Sequence, residues 1–82
     1  MNETELAIYD YIRINFEIDD DPDFTPDVNL FDYGFVDSLG ATEILMFVEQ
    51  NWNIAITQAD LTLYPMNSVR EIAGVVSKKL RG

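Results

Sequence analysis

Three stretches of this chain repeat apolar side chains at the period of an α-helix, and no convincing strand pattern stands beside them. Over about residues 3–16, Ile8, Tyr9, Ile12 and Phe16 share one face. Tyr11 and Ile14 lie off that stripe and predict a second, partly covered side. From residue 38 to 51 or 52, Ala41, Ile44, Leu45, Val48 and Trp52 share a face, while Leu39, Glu43, Met46 and Phe47 point elsewhere. Over residues 69–80 the stripe is Val69, Ile72, Ala73, Val76 and Leu80. Asn2 with Glu5, and Ser68 with Glu71, have the spacing of capping boxes. Lys78, Lys79 and Arg81 fall at the last helix end, where the dipole favours cations. Thr57 with Asp60, followed by Leu61 and stopped by Pro65, predicts a short helix within residues 53–67. The expected fold is all-α: a four-helix antiparallel bundle with a long first loop and a short third helix.

A chain of 82 residues has room for one core, so residues 1–82 are read as a single domain. Fifteen acidic against five basic residues give a net charge of −10. That opposes nucleic-acid binding, which needs cations to neutralise phosphates, and a polybasic membrane anchor. The charge is uneven: residues 1–60 hold 14 acids and only Arg13, whereas residues 61–82 hold four bases and Glu71. Cysteine and histidine are both absent. The chain therefore has no thiolate, no disulfide, and neither the commonest general base nor the commonest metal ligand. No nucleophile–base pair of the usual kinds can be assembled, and an independent enzyme is not expected. The first residues are acidic and lack the apolar core of a signal peptide, and no run approaches the roughly 18 apolar residues of a membrane span. A cytoplasmic monomer without membrane insertion is the expectation.

Residues 17–37 form an acidic connection carrying Pro22 and Pro26, which oppose a regular helix. Phe24, Val28, Leu30, Phe31 and Phe35 predict that parts of it pack down. Asp19, Asp21 and Asp23 match the opening of a calcium loop. The rest of that pattern fails: Phe24 stands where a glycine makes the turn, and Leu30 where a glutamate binds. A solvated acidic loop is the reading, with no metal.

At the end of this loop comes Gly34-Phe35-Val36-Asp37-Ser38-Leu39. It puts a serine hydroxyl where a long loop meets a helix start, a place suited to a phosphate because first-turn N–H groups are free. Taken as a bare tripeptide, Asp37-Ser38-Leu39 reads as a helix cap.

The wider pattern resembles the acyl carrier protein family. The matching elements are Leu30-Phe31-Asp32-Tyr33-Gly34, then Asp37-Ser38-Leu39, then Glu43-Ile44-Leu45-Met46. Ile56 with Asp60-Leu61 follows, and Ser68-Val69-Arg70-Glu71-Ile72-Ala73 opens the last helix. The likeness spans about residues 3–80. It implies a phosphopantetheine arm, taken from coenzyme A, on Ser38, with Asp37 and Leu39 as the flanking motif. Two residues separate Gly34 from Asp37, where fatty-acid carriers typically show one before the Asp-Ser pair. That spacing, with Gly40 after Leu39, is closer to D-alanyl and other stand-alone aminoacyl carriers. The implied partners are a phosphopantetheinyl transferase, an acyl- or aminoacyl-loading ligase and a downstream acyltransferase or synthase. Leu39, Glu43 and Met46 are candidates for docking those partners, against the alternative that Leu39 and Met46 pack on the loop or the short helix. Phe47 is expected to contact the loop aromatics, and Trp52 to be core. A small cargo is expected, because Val48, Trp52, Ile56, Leu61, Leu63 and Tyr64 are bulky enough to fill the space beyond the second helix. The competing function is an unmodified acidic interaction domain with the same bundle.

Overall fold

A computed structural model describes residues 1–81. Gly82, the last residue of the expected domain, lies outside them. The described residues form four helices and no strand: α1 (Glu3–Asn15), α2 (Ser38–Trp52), α3 (Gln58–Leu63) and α4 (Val69–Leu80). The chain folds as the four-helix bundle its periodicity predicts. α1 stops one residue earlier than expected, with Phe16 as its cap residue.

Each helix begins where a side chain can satisfy a free N–H. Asn2 and Glu5 exchange hydrogen bonds of 2.8 and 2.9 Å, a complete capping box. Thr57 and Asp60 do the same at the start of α3. The box expected at α4 is only half formed. Ser68 accepts from the Glu71 N–H at 3.1 Å, but the Glu71 carboxylate turns to the N–H of Asn67 instead. Asn53 ends α2 in the left-handed conformation, at φ 54°, which asparagine tolerates better than most residues.

The core is aliphatic. Ile8 and Ile12 of α1, Val48 of α2, Val69 and Val76 of α4, and Leu30 of the loop are fully buried. Each such burial stabilises the fold by about 1.5–3 kcal/mol. α1 and α2 run antiparallel: Tyr11 stacks on Phe47 at 4.0 Å, and Phe16 meets Gly40 near the start of α2. Phe47 therefore packs on α1 and edge-on to Trp52, not on the loop aromatics. The antiparallel pairing, invisible in local spacing, decides this. Trp52 is half-buried at the core's edge, and Ile14 is exposed.

The long loop is stitched to the start of α4. The Arg70 N–H donates to the Pro26 carbonyl at 2.9 Å, and the Leu30 N–H to the Asn67 carbonyl at 2.8 Å. Ile18, Phe24, Val28, Leu30 and Val36 are buried, while Phe31, expected to pack down, stays partly exposed. Cations of the C-terminal part reach across elements. Arg70 pairs with Glu5 and Asp27, Lys79 with Asp60, and Lys78 lies over the Tyr64 ring. These contacts tie α4 to α1, to the long loop and to α3.

Candidate functional site

The loop reaches α2 through a tight descent. The Asn29 side chain accepts from the N–H groups of Phe31 and Asp32, both at 3.0 Å. Gly34 takes φ +74°, a conformation that strains other residues. Val36 then drops into the core, its N–H on the Leu30 carbonyl at 3.1 Å. Asp37 is the N-cap of α2, its carboxylate accepting from the Gly40 N–H at 2.8 Å. Capping therefore falls to Asp37. Ser38 is the first helical residue and exposed, and its hydroxyl has no hydrogen-bond partner among the described residues.

Gly40 is buried, and a Cβ there would stand 2.8 Å from the Phe16 ring and 3.0 Å from Val36. The close approach of Phe16 and Val36 brings the end of α1 and the end of the loop against the first turn of α2. Ser38 thus sits, exposed, on a turn packed from two sides.

Leu39 is 77% exposed and Met46 52%, so neither packs on the loop or on α3. Glu43 and Met46 line a shallow recess with Tyr11, Phe47 and Gln50. Burial and the nearby Glu43 carboxylate push the Tyr11 phenol above its ordinary pKa. Leu39, Glu43 and Met46 share the exposed side of α2, with Ser38 at its start.

The space beyond α2 is not filled. A cleft of about 270 Å³ lies between α2, α3 and α4, walled by Ile44, Leu45, Leu61, Tyr64, Met66 and Ile72. Of the residues expected to fill it, Val48 is buried in the core, while Leu61 and Leu63 are exposed. Of the six residues of α3, only Asp60 is turned inward. Sequence reasoning missed this cleft because nothing local reveals which residue of a six-residue helix faces in.

Among the described residues, no group of three or more acidic side chains stands close enough to hold a metal ion. The Asp21 carboxylate instead accepts from the Asp23 N–H at 2.9 Å, shaping a turn. No described helix is long and apolar enough to cross a membrane.

The helical bundle thus presents an exposed serine at the start of α2, beside an apolar and acidic face. The family model described as phosphopantetheine attachment site matches residues 9–76, most of the chain, and the chain belongs to that family. It is a carrier protein, a type of domain that bears a covalently attached phosphopantetheine and is typically non-catalytic. Such a domain interacts with modifying and acyl-handling enzymes. No curated protein matched the chain.

Proposed function

We propose that residues 1–82 form a single, stand-alone carrier domain, monomeric and cytoplasmic, with its arm attached at Ser38. The observation that carries this reading is an exposed serine hydroxyl without a partner, on a first turn whose cap is supplied by its neighbour Asp37. The residues fit a phosphate ester. The hydroxyl is free to be esterified, and the helix N-terminus favours the negative charge. Asp37 and Gly40 hold the turn in place, and Leu39 offers an apolar contact beside it. When bound, the arm supplies a thiol that holds an acyl or aminoacyl group as a thioester, which this cysteine-free chain could not do itself. The chain performs no bond chemistry of its own. It presents a tethered substrate at high effective concentration to a transferase, a loading ligase and an acyltransferase or synthase in turn.

Incubation with coenzyme A and a broad-specificity phosphopantetheinyl transferase tests this. The intact mass should rise by one phosphopantetheinyl group in the wild type and not in Ser38→Ala. That variant loses no hydrogen bond of the hydroxyl and should melt within about 0.5 kcal/mol of the wild type. A wild-type chain that never gains the group would leave the unmodified interaction domain as the reading.

Partners dock on the Leu39, Glu43 and Met46 side of α2. The excess of acids in residues 1–60 steers the chain toward basic surfaces. Modification should slow with added salt, since exposed charges are screened over about 10 Å at 0.1 M. Glu43→Lys should slow it further without lowering the melting temperature. An unchanged rate at every salt concentration would remove this face from the docking surface.

The cargo is a small acyl or aminoacyl group. The Gly34-Phe35-Val36-Asp37-Ser38 spacing, which resembles D-alanyl and aminoacyl carriers, supports it.

A further inference from the structure

The loop before Ser38 carries a row of aromatic rings that ends in solvent. Tyr9 of α1 stacks on Phe24 at 4.4 Å, and Phe24 meets Phe35 edge-on at 5.6 Å. Phe35 in turn lies nearly parallel to Tyr33, at 6.2 Å and 6°. The inner end is anchored: Phe24 is buried, and the Tyr9 hydroxyl donates to its carbonyl at 3.3 Å. The outer end is open, with Tyr33 59% exposed. Its backbone is held too. The Tyr33 N–H donates to the Asn29 carbonyl at 3.2 Å, and the Gly34 N–H to that of Phe31 at 3.1 Å. Tyr33 precedes Ser38 by five residues. Such a stretch spans no more than about 18 Å when fully extended, and here the turn at Gly34 folds it back.

We propose that Tyr33 is a specificity-determining residue for the modification of Ser38, its ring a preformed contact for the phosphopantetheinyl transferase. This rests on Ser38 as the attachment point. An enzyme acting on that hydroxyl must cover the surface around it, and a standard interface takes about 800 Å² of each partner, a disc roughly 16 Å in radius. The Leu39, Glu43 and Met46 side of α2 lies after Ser38 in the chain, and Tyr33 extends the contact to the loop before it. A ring already set in place by its neighbours loses little freedom when a partner covers it. Tyrosine is among the residues that dominate binding at interfaces. Asp32, next in the chain, is exposed and in no ion pair among the described residues. The pair therefore suits a cationic side chain of the enzyme, laid over the exposed ring. Tyr33 takes no part in the transfer itself. There the Ser38 oxygen displaces adenosine 3′,5′-bisphosphate from the pyrophosphate of coenzyme A and gives up its proton, leaving a phosphodiester.

Rates of modification at saturating coenzyme A, read by intact mass over a range of carrier concentrations, test this. The chains compared are the wild type, Tyr33→Ala and Tyr33→Phe. Tyr33→Ala should lower kcat/KM for the carrier by about five-fold or more, the size of loss that marks an important contact in alanine scans. The loss should fall on KM, with kcat at the wild-type value. Tyr33→Phe keeps the ring and should match the wild type. Three results would overturn the contact while leaving Ser38 as the attachment point: Tyr33→Ala as fast as the wild type, a loss carried by kcat alone, or Tyr33→Phe as slow as the alanine variant. A wild type that is never modified would overturn the attachment reading itself, and the contact with it.

Discussion

α3 and α4 follow one another in the chain, yet they bury different chemistry. α4 turns five residues inward, all apolar, and has an apolar stripe along its length. α3 turns in a single carboxylate, borders the cleft with Leu61 and leaves Leu63 in solvent. Aliphatic burial is non-directional and survives changes of salt and pH, whereas a carboxylate held by a lysine depends on both. The first turn of α2 belongs with α4: Val36 and Phe16 pack closely against its Gly40. The molecule thus divides into a firm frame that carries Ser38 and a loosely strapped wall over the cleft.

Truncations probe this division most strongly. Ile12→Ala, in the frame, should cost about 2–5 kcal/mol, with each kcal/mol lowering the melting temperature by about 4–8 °C. Leu63→Ala, in the strapped wall, should stay within about 0.5 kcal/mol of the wild type. Thermal melts decide it, and comparable losses from the two would erase the distinction.

Acid should act next, and locally. Hydrogen bonds from Lys79 and from the Thr57 backbone hold the Asp60 carboxyl below its ordinary value of 3.8. Its contribution to the fold is therefore complete above that value and is lost as the pH falls through the lowered one. In an NMR titration from neutral pH downward, the helical shifts of α3 should disappear before those of α4. Simultaneous loss would mean that the ion pair has no separate role.

The smallest effect is expected from cargo. A small aminoacyl thioester left in solvent should barely move the melting temperature, while a ligand buried only in the native state stabilises it. Strong stabilisation by a long acyl chain, and none by the aminoacyl group, would shift the cargo toward long lipids.

The sequence made the frame legible because its signals are local. Asn2 with Glu5 forms the box its spacing implies, and Thr57 with Asp60 opens the short helix it predicts, though the Ser68–Glu71 box is only half formed. Of the α4 stripe, Val69, Ile72, Ala73 and Val76 are buried as its period requires, while Leu80, at the helix end, is exposed. Ser38 and Asp37 were legible as a helix start, though only the structure assigns the cap to Asp37. What spacing could not supply was partners across the bundle. Lys79 looked like a residue suited to a helix end, and it reaches Asp60. Phe47 looked free to join the loop, and it stacks on Tyr11. The cleft follows from the orientation of a helix too short to show a period.

The central claim is that this frame presents Ser38 as the attachment point, and peptide mapping of the modified chain tests it most directly. After reaction with coenzyme A and the transferase, digestion and tandem mass spectrometry should find one phosphopantetheinyl group, on the peptide containing Ser38 and on that residue. The group found on Thr42, Ser68 or another hydroxyl, or retained in full by Ser38→Ala, would contradict it.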